Sequence, residues 1–193
     1  MVLVIDTSSS RSALALVRGD RPPAEDVSEG GRERDLPGRV AKLVGTARLS
    51  AVCVSLGPGS FTGLRVGVSF GVGLALALGV PLLGLSSLEL QAARAREPAT
   101  AVVEAGRGRV YWLAAGGSPH QGELEDLPAE RPVVGWLRPS TVGRLQEMGR
   151  RVLDEPSLDS FGTAAARLLG QARELGYDTV ELEYMQSFER AWV

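Results

Sequence analysis

Apolar and polar positions along the chain alternate between a period of two and a period near 3.6. Residues 2–6 (VLVID) form an apolar run closing on Asp6, and 12–18 (SALALVR) form a second. The TSSSR between them is turn chemistry, so 2–18 is predicted to be a β-hairpin. Residues 19–31 (GDRPPAEDVSEGG) are polar and read as a loop with a short edge strand. From about 32 to 47 the apolar positions Leu36, Val40, Leu43 and Val44 recur at helical spacing, which predicts an amphipathic helix. AVCVSL (51–56) has the pattern of a buried strand. A helix from about Ser60 to Leu78, a strand at 82–85 and a helix through 86–96 follow.

After Pro98 the pattern starts again. AVVEAGRGRVYWLAA (101–115) reads as strand, turn, strand. With an offset of 98, Asp6 falls on Glu104 and Arg11 on Arg109. Each half therefore opens with an apolar strand ending in a carboxylate, a tight turn and a returning strand. This self-similarity predicts a duplicated α/β architecture, with one lobe over 1–97 and a shortened one over 98–193. In the second half, 116–132 is a loop or hairpin, 132–137 a strand, and 139–149 and 158–176 are helices. The pattern of 180–193 predicts no definite element.

The stretch from Val66 to Leu88 carries no charge, which meets the length criterion for a membrane span. Pro81 interrupts it, and glycines at 67, 71, 73 and 79 each cost helix propensity of roughly 1 kcal/mol in water. A helix covered by protein is the better reading, with no membrane insertion. Gly63, Gly67 and Gly71, spaced by four, line one face. Such a stripe admits close approach either by a partner's helix or by the chain's own sheet. Just before it, Gly57-Pro58-Gly59-Ser60 predicts a type II turn with positive φ at Gly59 and Ser60 as helix N-cap. The loop lacks the lysine of a P-loop, so it reads as a device that positions the helix.

Composition narrows the chemistry. The 44% apolar and 23% charged residues, with net charge −2, describe a soluble globular chain without a basic footprint for nucleic acid. RNA would have to be held by something else. One cysteine (Cys53, in an apolar run) and one histidine (His120, in a polar stretch) leave neither a disulfide framework nor a histidine pair for metal. A peptidase triad finds no machinery. The short apolar start MVLVIDTSSS is not a signal peptide, so a cytoplasmic location is expected.

Two readings stay open for the first turn. Asp6 with Thr7 and Ser8 could hold hydrated Mg²⁺ and phosphate, with Glu104 and Gly106-Arg107-Gly108 opposite. Alternatively Asp6 accepts backbone N–H groups of its own turn.

VLVIDTSSSRSALALV, SLGPGSFTGLRVGVSFGVGLALALGVPLLGLSSLE and VVEAGRGRVYWLA resemble, in order and spacing, the bacterial TsaB (YeaZ) family. The resemblance implies the ASKHA fold (actin, Hsp70, sugar kinase; RNase H-like) with two duplicated lobes, the second reduced. It implies a non-catalytic subunit of the tRNA t⁶A37 machinery that scaffolds the transferase TsaD and helps recruit the ATPase TsaE, with tRNA reached through the complex. The paired metal-binding histidines that TsaD carries on its first helix have no counterpart in GGRERDLPGRVAKLV, so catalysis is expected in the partner and no cofactor on this chain. ATP with Mg²⁺ would bind weakly or at a partner interface, with Asp6, Thr7, Ser8 and Glu104 as degenerate nucleotide-site residues. The implied TsaD surface is helices 32–47 and 60–78, through Leu36, Val40, Leu43, Gly63, Leu64, Gly67, Phe70, Gly71 and Leu74; alone, the chain is expected to homodimerise. Where the family carries Asp-Ala-Arg-Arg, this chain has Glu104-Ala105-Gly106-Arg107, and the family's late Pro-x-Tyr-Leu-Arg motif survives only as ELEYMQSFER (181–190). The competing reading is an ATPase or transferase acting on its own through Asp6 and Glu104.

Overall fold

The structure, a computed structural model, describes residues 1–19, 21–29, 35–178 and 180–182, and of Arg107 the backbone alone. The strands are β1 (Val2–Asp6), β2 (Arg11–Arg18), β3 (Arg21–Glu29), β4 (Ala51–Ser55), β5 (Leu82–Leu85), β6 (Thr100–Glu104), β7 (Val110–Ala114), β8 (Pro119–Gly122), β9 (Val133–Val134) and β10 (Arg173–Leu175). The helices are α1 (Leu36–Val44), α2 (Phe61–Leu78), α3 (Ser87–Ala92), α4 (Pro139–Glu147) and α5 (Phe161–Leu168).

Strands β10-β5-β4-β1-β2-β3 make one sheet and β8-β7-β6-β9 a second. In the first, β1 runs antiparallel to β2 and parallel to β4, and β4 runs parallel to β5. A parallel pair needs a crossover, and α2 supplies it between β4 and β5. Strand β4 is buried at every position, as expected for a strand covered on both faces. The second sheet repeats the order: β6 is antiparallel to β7 and parallel to β9, as β1 is to β2 and β4. After β9 comes α4, as α2 follows β4, and Val152 then makes an isolated parallel bridge to Val133. That bridge is what remains of a fifth strand. The duplication read from the sequence is therefore real, with the second copy cut short. Its register differs beyond the turn: Asp6 pairs Ala13 while Glu104 pairs Val110, so the offset falls from 98 to 97 and Arg109 is not the counterpart of Arg11.

Helices α1 and α2 cover one face of the first sheet, meeting Leu3, Ile5, Leu14, Val52 and Val54 through Leu36, Val40, Val68 and Ala75. The opposite face, with Val4, Ala13, Ala15 and Cys53, is closed by Leu90 of α3, Trp136, and Phe161 and Ala165 of α5. Helix α3 lies between the sheets, since Leu90 joins the first core and Leu88 packs with Ala101, Val103 and Val134 of the second. Both α5 and β10 thus come from the second half of the chain but pack on the first sheet.

Several elements differ from the sequence pattern. The polar stretch after β2 forms a nine-residue strand, β3, despite Pro22 and Pro23. It is an edge strand, where missing N–H donors are tolerated. The helix expected over 158–176 stops at Leu168, and its last residues become β10 at the sheet edge. The expected strand at 132–137 shortens to two residues. The start of the 32–47 helix (32–34) and most of the ELEYMQSFER stretch (183–190) lie outside the described residues.

The glycine stripe turns inward. A Cβ on Gly63 would stand 2.0 Å from the Thr7 carbonyl oxygen, one on Gly67 2.2 Å from Thr7 Oγ1, and one on Gly71 2.2 Å from Val54 Cγ1. The stripe therefore lets α2 lie against β1 and β4 of its own chain, which is the intramolecular one of the two readings. Leu64, fully buried, belongs to the same inner face, as do Leu36 and Val40 on α1. The expectation that Gly63, Leu64, Gly67, Gly71 and Leu36 face a partner is corrected on this ground, while Val40, though buried, also borders the groove between α1 and α2. Leu43, Phe70 and Leu74 are half-buried at the rim.

A matched pair of substitutions tests this close approach. Gly63→Ala forces Thr7 or the helix to move and should cost about 1–3 kcal/mol. Gly73, on the outer side, has nothing within 4 Å of the place a methyl group would take, so Gly73→Ala should gain about 0.5–1 kcal/mol from helix propensity alone. Urea unfolding of both variants reads the difference; equal stability would mean that α2 does not sit on Thr7.

Candidate functional site: a serine-lined cleft and an apolar helix surface

The loop before α2 is stitched to the first turn. Positive φ falls at Gly57 (+109°), followed by a cis Gly57–Pro58 bond, and not at Gly59 as a type II turn would require. Gly59 is needed for proximity instead: a Cβ there would lie 2.3 Å from the Ser8 carbonyl oxygen. Ser60 N donates to that oxygen at 2.7 Å, and Ser60 Oγ caps α2 by accepting from Gly63 N at 3.2 Å. Thr7 Oγ1 donates to Gly63 O at 2.7 Å.

Asp6, at the end of β1, is fully buried. Its Oδ1 accepts from Ser8 N at 2.9 Å, while Oδ2 and the Ser8 hydroxyl have no protein partner. Burial pushes its carboxyl above the ordinary range, against the Ser8 N–H bond, the nearby Ser8 and Ser55 hydroxyls and the charge of Arg94. A carboxyl so enclosed favours its proton over a hydrated cation. Of the two readings of this turn, the arrangement matches the one in which Asp6 accepts a backbone N–H. Glu104, its counterpart, anchors the start of α4: Oε1 accepts from Thr141 Oγ1 at 2.5 Å and Arg138 N at 3.0 Å, and Arg138 Nε lies 3.1 Å from Oε2. Among the described residues no group of three or more His, Cys, Asp or Glu could hold a metal ion. As placed, Asp6 and Glu104 do not fit a Mg²⁺ site.

A cleft of about 450 Å³ separates these turns, lined by Ser8, Ser9, Arg11, Ser60, Glu104 and Arg138 among others. The structure thus brings Ser8 and Glu104 to one cleft and leaves Asp6 and Thr7 buried behind its wall. Sequence reasoning missed the group that ties the turns together. Arg94, buried just past the end of α3, donates to Gln91 Oε1 at 3.0 Å, pairs with Glu155 and lies 4.6 Å over the Trp136 ring. Trp136 Nε1 and Arg11 both donate to Glu155 Oε1, at 2.9 and 3.0 Å. The AARAR run gave no hint, because its arginines look alike until the fold buries one.

The remaining candidates fall into place. Cys53 is buried in β4 and its thiol is pushed up to about 12, which removes it as a nucleophile. His120 stacks on Trp112 at 5.6 Å on strand β8. Arg65 sits 3.8 Å over the Phe61 ring.

The outer side of α2 is unusual. Phe61, Val66, Leu76 and Leu78 are 43%, 40%, 61% and 50% exposed, and Gly73 is open. Helix α2 is long and apolar enough to cross a membrane by length and composition, yet its inner face is built into the β4–β5 crossover. Between α1 and α2 runs a groove of about 680 Å³ lined by Val40, Val44, Leu49, Phe70, Leu74 and Val80 among others. Single exposed apolar residues are ordinary; here four of them share one helix that also borders an apolar groove, with Thr62, Arg65 and Ser69 exposed among them.

The Asp6 arrangement predicts a pH dependence. Its folded pKa lies above the ordinary 3.8, so the protein binds a proton more tightly folded than unfolded. The associated stability is present below pH 3.8 and is lost as pH rises through the raised value. Asp6→Asn keeps the shape and removes the charge, so its melting temperature relative to the parent should rise from pH 4 towards neutrality. A difference that stays constant across that range would contradict the buried, proton-favouring carboxyl.

Comparison with known proteins gives a consistent picture. The family model described as "TsaD: tRNA N6-adenosine threonylcarbamoyltransferase" matches residues 41–130. The tRNA threonylcarbamoyladenosine biosynthesis protein TsaB of Bacillus subtilis is 35% identical over 120 residues, covering 57% of this chain and 52% of that protein. The chain thus spans about half the length of that relative. An uncharacterised Mycobacterium tuberculosis protein is 30% identical over 178 residues, covering 74% of this chain and 82% of that one. Among solved structures, YeaZ from Pseudomonas aeruginosa superposes with a TM-score of 0.74 at 25% identity, over 95% of this chain and 99% of that one. Motifs, duplicated sheets and these likenesses agree: the fold is of the ASKHA type, and the chain belongs to the TsaB/YeaZ family.

Proposed function

We propose that this chain is a non-catalytic, cytoplasmic subunit of the machinery that makes N6-threonylcarbamoyladenosine at position 37 of tRNA. In this reading it scaffolds and activates TsaD, helps recruit the ATPase TsaE, and reaches tRNA through the complex. The observation that carries the reading is the exposed apolar content of α2, with Phe61, Val66, Leu76 and Leu78 exposed and Phe70, Leu74 and Leu78 lining the groove to α1. The residues expected to do chemistry are engaged structurally: Asp6 in its own turn, Glu104 at the start of α4. The name of the Bacillus subtilis relative supports the pathway. In the absence of TsaD, the same apolar face would bring two copies together.

A second reading, Mg²⁺-ATP in the cleft, draws on the Ser8–Arg11 turn and Arg138. Calorimetry with ATP and Mg²⁺ decides it, and no heat at high protein concentration would remove it.

The partner reading is tested on the exposed side of α2, because the inner glycines cannot be changed without disturbing the sheet. Gly73→Arg and Leu76→Asp should each weaken co-purification with TsaD by about 10–100-fold while leaving melting behaviour intact. A t⁶A assay on tRNA should fall in parallel, and the parent chain should be required for full activity. Undiminished binding by both variants would remove α2 from the interface.

A further inference from the structure

Positive charges in this chain are unevenly paired. Arg39, Arg96, Arg151 and Arg167 lie between 2.5 and 2.8 Å from carboxylate oxygens. Arg18, Arg21, Lys42 and Arg48 make neither a hydrogen bond nor an ion pair with the described residues, and Arg18 Nε is buried without a partner. The fold gathers these four at one end of the first sheet. Arg18 closes β2 and stands opposite Arg21 in the β2–β3 ladder, so the two share a side of the sheet. By the period of two it is the side of Leu14, where α1 packs. Helix α1 runs towards that end: its Arg39 reaches Ser12 and Asp26 farther up β2 and β3, and Lys42 lies in its last turn. Arg48 follows in the loop to β4, two residues before Ser50, whose N–H donates at 2.7 Å to the Met1 carbonyl beside the Val2–Val17 pair. From β3 to β4, across β2 and β1, is about 14 Å.

Arg21, Lys42 and Arg48 are exposed. The first carboxylates along β3 are engaged: Glu25 accepts from Gly162 N at 2.7 Å, and Asp26 pairs with Arg39. With Asp20 between Arg18 and Arg21 in the sequence, the group carries four positive charges and one negative. Over a Debye length of about 10 Å at 0.1 M salt, that local excess outweighs a net charge of −2 spread over the whole chain.

We propose that this basic end of the first sheet binds the phosphate backbone of RNA, so that the chain touches tRNA itself as well as reaching it through a partner. The inference rests on the proposed role in tRNA modification. Three of the four cations are arginines, whose planar guanidinium takes phosphate oxygens in pairs. The group has no aromatic ring for a base to stack on, so it holds backbone and reads no sequence. Arg48 also borders the groove between α1 and α2. A partner seated in that groove lies beside these cations, and RNA bound to it has them within reach.

The test uses the double variant Arg18→Gln with Arg21→Gln, two residues outside the groove lining, and unmodified tRNA as the probe. Affinity of the complex with TsaD for tRNA is measured from about 50 to 200 mM salt, alongside co-purification. The variant should bind tRNA about 10–100-fold more weakly near 0.1 M salt, with the slope of log affinity against log salt reduced by about 1.5–2. Co-purification with TsaD should be unchanged. Arg21→Glu alone, on an exposed side chain, covers the case in which the Arg18 change disturbs folding, and should weaken tRNA binding in the same way. A parent chain that fails to co-purify with TsaD defeats the proposed role, and the same titration on the chain alone then decides this inference. Affinity and salt slope equal to the parent's in both variants would overturn it. So would binding that depends on these arginines for vesicles of anionic lipid but not for tRNA.

Discussion

The approach of α2 to the first turn sets the geometry of the whole first lobe. Three glycines on one edge of the helix leave room for Thr7 and Val54, and the same contact places Ser60 against the Ser8 carbonyl. Once the helix lies there, its other side must carry whatever apolar surface the sequence still holds. The exposed side of this eighteen-residue helix accordingly carries Phe61, Val66, Leu76 and Leu78 together with its few polar residues, Thr62, Arg65 and Ser69. Close packing inside and exposure outside are two consequences of one composition.

The same constraint shapes the cleft. Drawing the loop 57–60 onto the first turn buries Asp6 beneath it, and a buried carboxyl is driven towards its neutral form. The duplicated turn in the second half puts Glu104 at the start of α4, where backbone and side-chain donors take up Oε1 and the Arg138 guanidinium pairs with Oε2. Between them, Arg94, Glu155, Trp136 and Arg11 join α3, the end of the second sheet and the first turn into a single network. Such a network holds the two sheets in a fixed relation, at the cost of removing the charged groups from solvent.

Much of this was legible in the sequence. The β-hairpin, the crossover helix with its Ser60 cap and the repeat of strand, turn and strand after Pro98 all follow from local periodicity, which a short stretch of chain carries by itself. The direction of the glycine stripe was not legible, because spacing four says that three glycines share a face but not what that face meets. The edge position that lets Pro22 and Pro23 sit in a strand is likewise a property of the sheet. So is the strand β10, whose residues read as the end of a helix until the edge of β5 offers them a ladder. Arg94 and Glu155 lie 61 residues apart, and nothing local to either marks the pair.

In the proposed role this chain works through the outer surface of α1 and α2 and not through its cleft. The most direct measurement is amide exchange on the chain with and without TsaD, resolved to short peptides. Exchange should slow in 36–49 and 61–80, with the cleft turns at 8–11 and 104–109 unchanged. Slowing confined to those turns and to 138–141, with α1 and α2 unaffected, would contradict it.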